Sequence, residues 1–203
     1  MMAAQPAVYL DRDGVINQES EYVHRIEDFH FIDGVFDACR QMSKAGFRLI
    51  VITNQAGIAR GYYTEDEFHR LTKWMLDEFR QHGVEIDGVY FCPHHPVHGV
   101  GQYLRQCECR KPGPEMILRA AREHSLDLPK SILVGDKASD IEAGRSAGVG
   151  CCVLVLTGHP PADNELNKAD SVLENLQAVV NALLNNQLCV DETDKKSGNR
   201  DKH

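Results

Sequence analysis

The sequence lacks any stretch of about 18 consecutive apolar residues, which is the length that a membrane-spanning helix needs. Its first residues, Met1 to Ala7, contain neither a charged segment nor a long apolar run. They therefore resemble neither a signal peptide nor a membrane anchor. We expect a cytoplasmic protein with no membrane partner.

The sequence also has few basic residues, with 22 Lys and Arg against 30 Asp and Glu and a formal net charge of −8. Proteins that bind nucleic acid through its phosphates need a basic surface, so a nucleic-acid partner is not expected. An anionic ligand must instead meet a local group of basic side chains. We expect a small-molecule substrate and a monomer.

The cysteines do not form the even, spread-out pattern of a disulfide framework. There are seven, and Cys92, Cys107 and Cys109 fall within one short stretch. An odd, clustered set favours metal binding in a reducing compartment.

A chain of 203 residues, 42% of them hydrophobic, can bury one substantial core. We predict a single domain over residues 1–186. Residues 187–203 are too polar to pack, and we predict a disordered tail there.

Short apolar runs alternate with helical patterns. The runs are Val8–Leu10, Leu49–Ile52, Ile132–Val134 and Val153–Leu156, with a weaker one at Gly88–Phe91. Runs of this kind are typical of strands buried on both faces, and their alternation with helices predicts an α/β fold with a parallel sheet. Thr64 and Glu67 have the spacing of a capping box, and a final helix is predicted from Ser171 to about Leu184.

Two aspartates follow the first predicted strand. Asp11 and Asp13 are two residues apart, and Gly14 allows a turn that brings both toward one phosphorus atom. One carboxylate can then attack and form an acyl phosphate, while the other transfers protons to and from the leaving group and water. The sequence thus predicts that one of Asp11 and Asp13 attacks while the other transfers protons.

Other polar residues follow later strands or precede a helix. Asp136 adds a third carboxylate, and such a set together with substrate phosphate suits Mg²⁺. Thr53 and Lys111 can hold the oxygens of the phosphoryl group as their charge develops. For Asp140, helix capping and a direct role are both open.

The stretch between the fifth apolar run and Arg110 is long and has no helical or strand period. It carries two close pairs of metal ligands, so we predict a structural zinc site formed by Cys92, His94, Cys107 and Cys109. His95 or His98 in place of His94, or no metal at all, are the alternatives. Because Cys109 directly precedes Arg110 and Lys111, zinc would also fix where these two cations point.

These motifs resemble those of the haloacid dehalogenase (HAD) superfamily. The resemblance covers about residues 7 to 158 and rests on Asp11-x-Asp13-Gly14, Thr53-Asn54, Lys111 and Gly135-Asp136. It implies a Rossmann-like three-layer sandwich, with Asp11 as the nucleophile and Asp13 as the acid and base. It also implies magnesium bound by Asp11, the backbone carbonyl of Asp13 and Asp136. The gaps after the first and second motifs are too short for an inserted cap domain, so we expect an open site. Val15 stands where much of the superfamily has threonine.

A longer combination of motifs is similar to that of sugar bisphosphate phosphatases within this superfamily. The resemblance implies that substrate is bound by Glu19, Ser20, Glu21, Tyr22, Thr53, Asn54, Gln55, Ala56, Arg110, Lys111 and Lys137. A guanidinium can grip a second, remote phosphate with two hydrogen bonds, although Arg110 could instead form a surface ion pair. Lys137 could face substrate or Asp11.

Two other functions stay open at this point. Histidinol-phosphate phosphatases share the motifs and the cysteine loop. A non-catalytic receiver of phosphate on aspartate is a different class, but Asp13 argues against it because an acid and base would shorten the life of the phosphoaspartate.

Overall fold

The computed structural model describes residues 4–161 and 163–189. Its strands are β1 (Ala7–Leu10), β2 (Arg48–Asn54), β3 (Gly88–Cys92), β4 (Ile132–Gly135), β5 (Cys151–Val155) and β6 (Ser171–Leu173). Its α-helices are α1 (Val35–Lys44), α2 (Ala56–Ala59), α3 (Glu65–Gln81), α4 (Glu115–His124), α5 (Ala138–Ala147), α6 (Asp163–Leu166) and α7 (Leu176–Leu184).

The strands form one sheet in the order β3-β2-β1-β4-β5-β6, and every neighbouring pair is parallel. The predicted α/β fold with a parallel sheet is therefore confirmed. Strands β2, β1 and β4 lie side by side in its centre. Because parallel strands end at the same edge, the residues that follow them meet there.

Alternate residues of β1 point to opposite faces of the sheet and enter two separate cores. Val8 and Leu10 pack with residues of α1, α3 and α7. Ala7 and Tyr9 pack with residues of α4 and α5. The sheet is thus covered by helices on both faces, which confirms the three-layer arrangement and explains why its strands are apolar throughout.

Helix α3 begins where the capping box predicted. The Thr64 hydroxyl accepts a hydrogen bond from the backbone N–H of Glu67 at 3.2 Å, and the Glu67 carboxylate accepts one from the backbone N–H of Thr64 at 2.7 Å. These two bonds satisfy donors that the first turn would otherwise leave unpaired.

The predicted single helix from Ser171 to about Leu184 is wrong in its first part. Ser171–Leu173 is strand β6, which pairs with Val153–Val155 at the edge of the sheet. Helix α7 begins only after Asn175, whose side-chain oxygen accepts a hydrogen bond from the backbone N–H of Ala178 at 2.9 Å. The apolar spacing of so short a segment fits a strand as well as a helix, and pairing with β5 decides between them.

The C-terminal part of the described chain is fastened to the core. Cys189 forms a disulfide with Cys151, with a Cα–Cα distance of 5.9 Å, and Leu188 packs beside it against the core. Cys189 falls in the tail predicted from the sequence, which gave no sign of this bond because the pairing depends on where α7 ends. The remainder of the predicted tail, residues 190–203, lies outside the described residues.

The connections between the strands consist of helices, turns and loops. Residues between β1 and α1 contain one 3₁₀ helix, Ile26–Asp28, and those between β3 and α4 contain another, Gly101–Tyr103. In the described ranges no further domain is inserted at either place, so the predicted capless arrangement is confirmed. No helix in these ranges has the length and apolarity to cross a bilayer.

Candidate active site

The side chain of Lys111 lies at the centre of the polar cluster at the carboxyl edge of the sheet. Its ammonium is 2.9 Å from Asp11 Oδ1 and 2.6 Å from Asp140 Oδ1, and it donates to the backbone carbonyl of Ile52 at 3.1 Å. Only 4% of the residue is exposed. Burial acts to lower the pKa of Lys111, but Asp11 and Asp140 outweigh it and raise the pKa, so the side chain is a permanent cation.

Asp11 is held by one oxygen. Its Oδ1 accepts a hydrogen bond from the backbone N–H of Arg12 at 2.7 Å and faces the Lys111 ammonium. Oδ2 is therefore the oxygen with room for a ligand or a reacting atom. Burial, helped by the nearby Asp140 and Asp136, raises the pKa of Asp11 to about 8, against the opposing effect of Lys111.

Asp136 supplies a third buried carboxylate to the same cluster. Its Oδ2 accepts a hydrogen bond from the backbone N–H of His159 at 3.0 Å, whereas its Oδ1 is buried and has no partner among the described residues. Burial, with Asp140 nearby, raises the pKa of Asp136. Glycines make room for it, since a Cβ on Gly14 or Gly158 would lie 2.5 or 2.1 Å from Asp136 Oδ2.

This cluster fits a divalent cation. Oxygens of Asp11, Asp136 and Asp140 all lie within 4.8 Å of one another. Carboxylates this close repel, which adds to the effect of burial in raising the pKa values of Asp11 and Asp136, and a cation would relieve the repulsion. The unpartnered Asp136 Oδ1 is the kind of hard oxygen ligand that Mg²⁺ takes.

Asp13 has a different environment. Its carboxylate accepts hydrogen bonds from Arg12, from Asn17 at 3.1 Å and from Gln55 at 3.3 Å. Burial acts to raise the pKa of Asp13, but the Arg12 charge and the hydrogen bonds from Arg12 and Asn17 outweigh it and bring the pKa below its ordinary value. In the site without a cation or substrate, Asp13 is therefore the more acidic of the two aspartates.

Asp140 combines the two roles that the sequence left open. Its Oδ2 accepts a hydrogen bond from the backbone N–H of Lys137 at 3.0 Å, which caps helix α5, and its Oδ1 faces Lys111. A single side chain therefore fixes both the start of α5 and the position of the buried lysine.

A cavity of about 540 Å³ opens beside this cluster. The residues predicted from the sequence that line it are Asp11, Asp13, Glu19, Glu21, Tyr22, Thr53, Asn54, Gln55, Ala56, Arg110, Lys111 and Lys137. Ser20 is exposed and does not line the cavity, and Asp136 is buried beneath it. Tyr63, Pro112, Ser139 and Asp140 also line it.

Tyr63 is a site residue that the sequence analysis missed. Its hydroxyl donates to Gln55 Oε1 at 2.6 Å, and Gln55 Nε2 in turn donates to Thr53 at 2.8 Å. A Cβ on Gly57 would lie 2.1 Å from the Tyr63 ring, so only glycine permits this approach. The one signal in the sequence is that Tyr63 directly precedes the capping residue of α3.

Lys137 and Arg110 are the other cations at the cavity. The Lys137 ammonium is 2.8 Å from Glu19 and 3.8 Å from Asp136, so it faces the loop after β1 rather than Asp11. Arg110 donates to the backbone carbonyl of His94 at 3.3 Å, and no described carboxylate lies within ion-pair distance of it. The surface ion pair considered for Arg110 is therefore absent from the described part of the chain.

The cysteine loop brings four potential metal ligands together. Cys109 Sγ is 3.1 Å from both Cys92 Sγ and Cys107 Sγ, and His94 Nδ1 is 3.4 Å from Cys109 Sγ. An ion about 2.3 Å from each sulfur in a tetrahedron places the sulfurs about 3.8 Å apart, so the cluster is close to that arrangement and slightly tighter. His95 instead accepts hydrogen bonds from the backbone of Val97 and His98.

Comparisons with known proteins agree with this geometry. The HAD-hydrolase-like family model matches residues 108–179. The D-glycero-beta-D-manno-heptose-1,7-bisphosphate 7-phosphatase of Vibrio cholerae serotype O1 is 49% identical over 181 residues, which cover 89% of this chain and 97% of that protein. The protein of the same name from Escherichia coli strain K12 is 46% identical over 187 residues, which cover 92% and 98%.

Among solved structures, the D,D-heptose 1,7-bisphosphate phosphatase from B. bronchiseptica, complexed with magnesium and phosphate, superposes with a TM-score of 0.77. It is 32% identical, and the match covers 89% of this chain and 99% of that one. The resemblance to the HAD superfamily is therefore confirmed, and the chain belongs to the D-glycero-beta-D-manno-heptose-1,7-bisphosphate 7-phosphatase family of HAD-like phosphatases.

Proposed function

We propose that this chain removes the 7-phosphate of D-glycero-D-manno-heptose 1,7-bisphosphate and releases inorganic phosphate and the heptose 1-phosphate. The observation that carries the proposal is that Asp11, Asp13, Thr53 and Lys111 line one cavity together with Arg110. The relatives so named support the choice of sugar, since they are 46 to 49% identical over nearly their whole length.

In the first step, the Asp11 carboxylate attacks the phosphorus atom of the 7-phosphate. The bond between phosphorus and the sugar oxygen breaks. Asp13, which takes up a proton when the negative charge of the phosphate lies beside it, gives that proton to the sugar oxygen, which leaves as a hydroxyl group. Because an alkoxide is a poor leaving group, this proton is worth about 100- to 10,000-fold in rate. The products are an aspartyl phosphate at Asp11 and an ionised Asp13.

In the second step, water attacks the phosphorus atom of the aspartyl phosphate. Ionised Asp13 takes the proton of the attacking water, and the bond between phosphorus and Asp11 breaks. Inorganic phosphate leaves, and both aspartates return to their starting state. Dividing one hard displacement into two easier ones is the benefit of the covalent intermediate.

Asp11, Asp136 and the backbone carbonyl of Asp13 would hold a magnesium ion, and the complex of the B. bronchiseptica protein with magnesium and phosphate supports this assignment. When bound, such an ion neutralises charge on the phosphate oxygens. Lys111 and Thr53 would stabilise the remaining phosphoryl oxygens, and Lys111 is suited to this because its charge is permanent.

A structural zinc ion would be held by Cys92, His94, Cys107 and Cys109. Its contribution is to fix the loop that carries Arg110, which follows Cys109 directly. Arg110 has no carboxylate partner in the described chain and is free to bind the 1-phosphate through its fork of N–H groups. Lys137 and the loop of Glu19, Glu21 and Tyr22 would contact the sugar.

A panel of substrates tests the proposal, with Asp11→Asn as the blank. Phosphate release is measured in magnesium with both anomers of the heptose bisphosphate, fructose 1,6-bisphosphate and histidinol phosphate. We expect the highest kcat/KM for a heptose bisphosphate, with the β anomer named by the relatives as the first candidate. Faster hydrolysis of histidinol phosphate would overturn the assignment of the heptose bisphosphate as the substrate. Absence of any phosphate release would favour the receiver function.

We further propose that the enzyme works as a monomer in the cytoplasm. Its product would supply the heptose of the lipopolysaccharide inner core or of another glycan made from a nucleotide-activated heptose. Sedimentation at micromolar concentration tests the monomer, and cell fractionation tests the location.

A further inference from the structure

Arg12 is a buried cation that the proposed reaction does not use. Only 2% of it is exposed, and its guanidinium lies between two aromatic rings, 5.8 Å from the centre of Phe29 and 6.0 Å from that of Phe68. Its Nη1 is buried without a hydrogen-bond partner among the described residues. Burying a charge in this way is costly, so packing alone does not account for an arginine here.

The guanidinium grips the carboxylate of Asp13 with its fork. Nη2 donates to Asp13 Oδ1 at 2.8 Å, and Nε is 3.2 Å from Oδ2. Nη2 also donates to the backbone carbonyl of Val23 at 2.8 Å. One side chain therefore connects Asp13 to the end of the loop that carries Glu19, Glu21 and Tyr22.

The two oxygens of Asp13 are held unequally. Oδ1 has the short bond from Arg12 and a second one from Asn17 at 3.1 Å. Oδ2 has only the longer contacts, 3.2 Å from Arg12 Nε and 3.3 Å from Gln55 Nε2. Oδ1 thus serves as the anchor, and Oδ2 is the oxygen that can exchange a weak contact for the substrate.

We propose that Arg12 is a positioning residue, whose fork anchors Asp13 through Oδ1 so that Oδ2 faces the leaving oxygen of the substrate. The proposal rests on the proposed function in that Asp13 is the general acid. The same guanidinium also donates to the Val23 carbonyl and so connects Asp13 to the loop that would contact the substrate. Asp13 misplaced by about 1 Å would deliver its proton poorly, and errors of that size can cost about 100-fold in rate.

The dependence on the leaving group separates positioning from a merely structural role. The value of kcat/KM reports the steps up to departure of the leaving group. A sugar leaves as a poor alkoxide and needs the proton, whereas p-nitrophenolate leaves without it. Damage to the fold would slow both reactions alike.

The experiment compares wild type, Arg12→Gln and Arg12→Lys on p-nitrophenyl phosphate and on whichever sugar phosphate the wild type hydrolyses best. For Arg12→Gln we expect kcat/KM to fall about 100-fold with the sugar phosphate and less than about 5-fold with the aryl ester. Lysine keeps the charge but lacks the fork of N–H groups. Arg12→Lys should therefore also lose more kcat/KM with the sugar phosphate than with the aryl ester, and the difference between the two losses should be about a tenth of that in Arg12→Gln. Equal losses on the two substrates, or none, would overturn the proposal.

Arg48→Gln is the matched control, because Arg48 pairs with Asp87 at 2.5 Å and Gln5 at 2.8 Å, away from the cavity. Arg48→Gln should change kcat/KM with neither the sugar phosphate nor the aryl ester. If Arg12→Gln does not fold, as judged by thermal unfolding, Arg12→Lys alone decides by the same criterion. The sugar phosphate is chosen because the wild type hydrolyses it best. The test can therefore be made even if the heptose bisphosphate is not the substrate.

Discussion

Asn54 and Lys111 are joined by two reciprocal hydrogen bonds across 57 residues of sequence. Asn54 Nδ2 donates to the Lys111 carbonyl at 3.1 Å, and the backbone N–H of Lys111 donates to Asn54 Oδ1 at 3.0 Å. The end of strand β2 therefore fixes the backbone of the residue whose ammonium faces Asp11. The carboxamide is suited to this because it both donates and accepts.

Replacing Asn54 by alanine should misplace Lys111. We expect Asn54→Ala to lower kcat by about 10- to 100-fold, because small displacements of a charged group at a reacting phosphate are costly. Steady-state kinetics measure the loss, and thermal unfolding measures stability. Asn181→Ala removes an exposed amide hydrogen bond to Gln177 on helix α7 and should leave kcat unchanged. Native kcat in Asn54→Ala would show that Lys111 is held by its side-chain contacts alone.

The raised pKa of Asp11 predicts how stability depends on pH when no divalent cation is present. Its pKa rises from 3.8 to about 8 on folding, so the folded state binds the proton more tightly than the unfolded state. The contribution of Asp11 is then complete below about pH 4 and is lost as the pH rises toward 8. Denaturant unfolding of wild type and Asp11→Asn in EDTA should diverge over this range, with the variant gaining relative stability as the pH rises.

Magnesium should reverse this loss. At pH 8 a cation bound to the folded state alone adds stability by mass action, roughly 2.7 kcal/mol at 100 times its dissociation constant. Titration with MgCl₂ should raise the unfolding midpoint of the wild type more than that of Asp136→Asn. Equal shifts in the two proteins would place the cation elsewhere.

Removing zinc should impair phosphate transfer without touching the aspartates. We expect Cys107→Ser to lose most of its zinc and to turn over more slowly at saturating magnesium, because Arg110 and Lys111 follow Cys109 and lose their fixed position. Metal analysis and steady-state kinetics provide the measurement. Cys39→Ala, at a buried cysteine outside the cluster, should keep both zinc and turnover. Full activity in zinc-free protein would refute the positional role.

The hydroxyl of Tyr63 should matter more than that of another tyrosine with an equally short hydrogen bond. Tyr63→Phe frees Gln55 Oε1, and Gln55 then holds Thr53 and Asp13 less firmly, so we expect kcat/KM to fall about 10-fold. Tyr90 is the matched control, because its hydroxyl also donates at 2.6 Å, to Glu123 on the outer face of α4. Tyr90→Phe should retain native kinetics, and equal effects of both variants would count against the proposed role of Tyr63.

Much of the fold could be predicted because its determinants are local. The capping box of Thr64 and Glu67 lies within one helical turn, and the apolar runs of the central strands show that both faces are buried. The polar residues after β1, β2 and β4 could be grouped because parallel strands end at one edge. Asp11, Thr53 and Asp136 were therefore identified as neighbours from spacing and from resemblance to a known superfamily.

Other features depended on contacts between distant segments. Strand β6 exists because β5 needs a hydrogen-bonding partner, and the bond from Cys151 to Cys189 depends on where α7 ends. Asp140 proved to be both a cap and a partner of Lys111. Arg12 directly precedes Asp13 and Tyr63 directly precedes the cap of α3, but these positions alone do not show that the two side chains support Asp13.

The sequence by itself determined which chemical groups are available and at which edge of the sheet they gather, because hydrophobic periodicity and capping act over a few residues. Only the tertiary structure decided which oxygen of Asp13 is anchored and which cation faces Asp11. Those relationships depend on distances of about 3 Å between chain segments, and close packing of the whole core sets them.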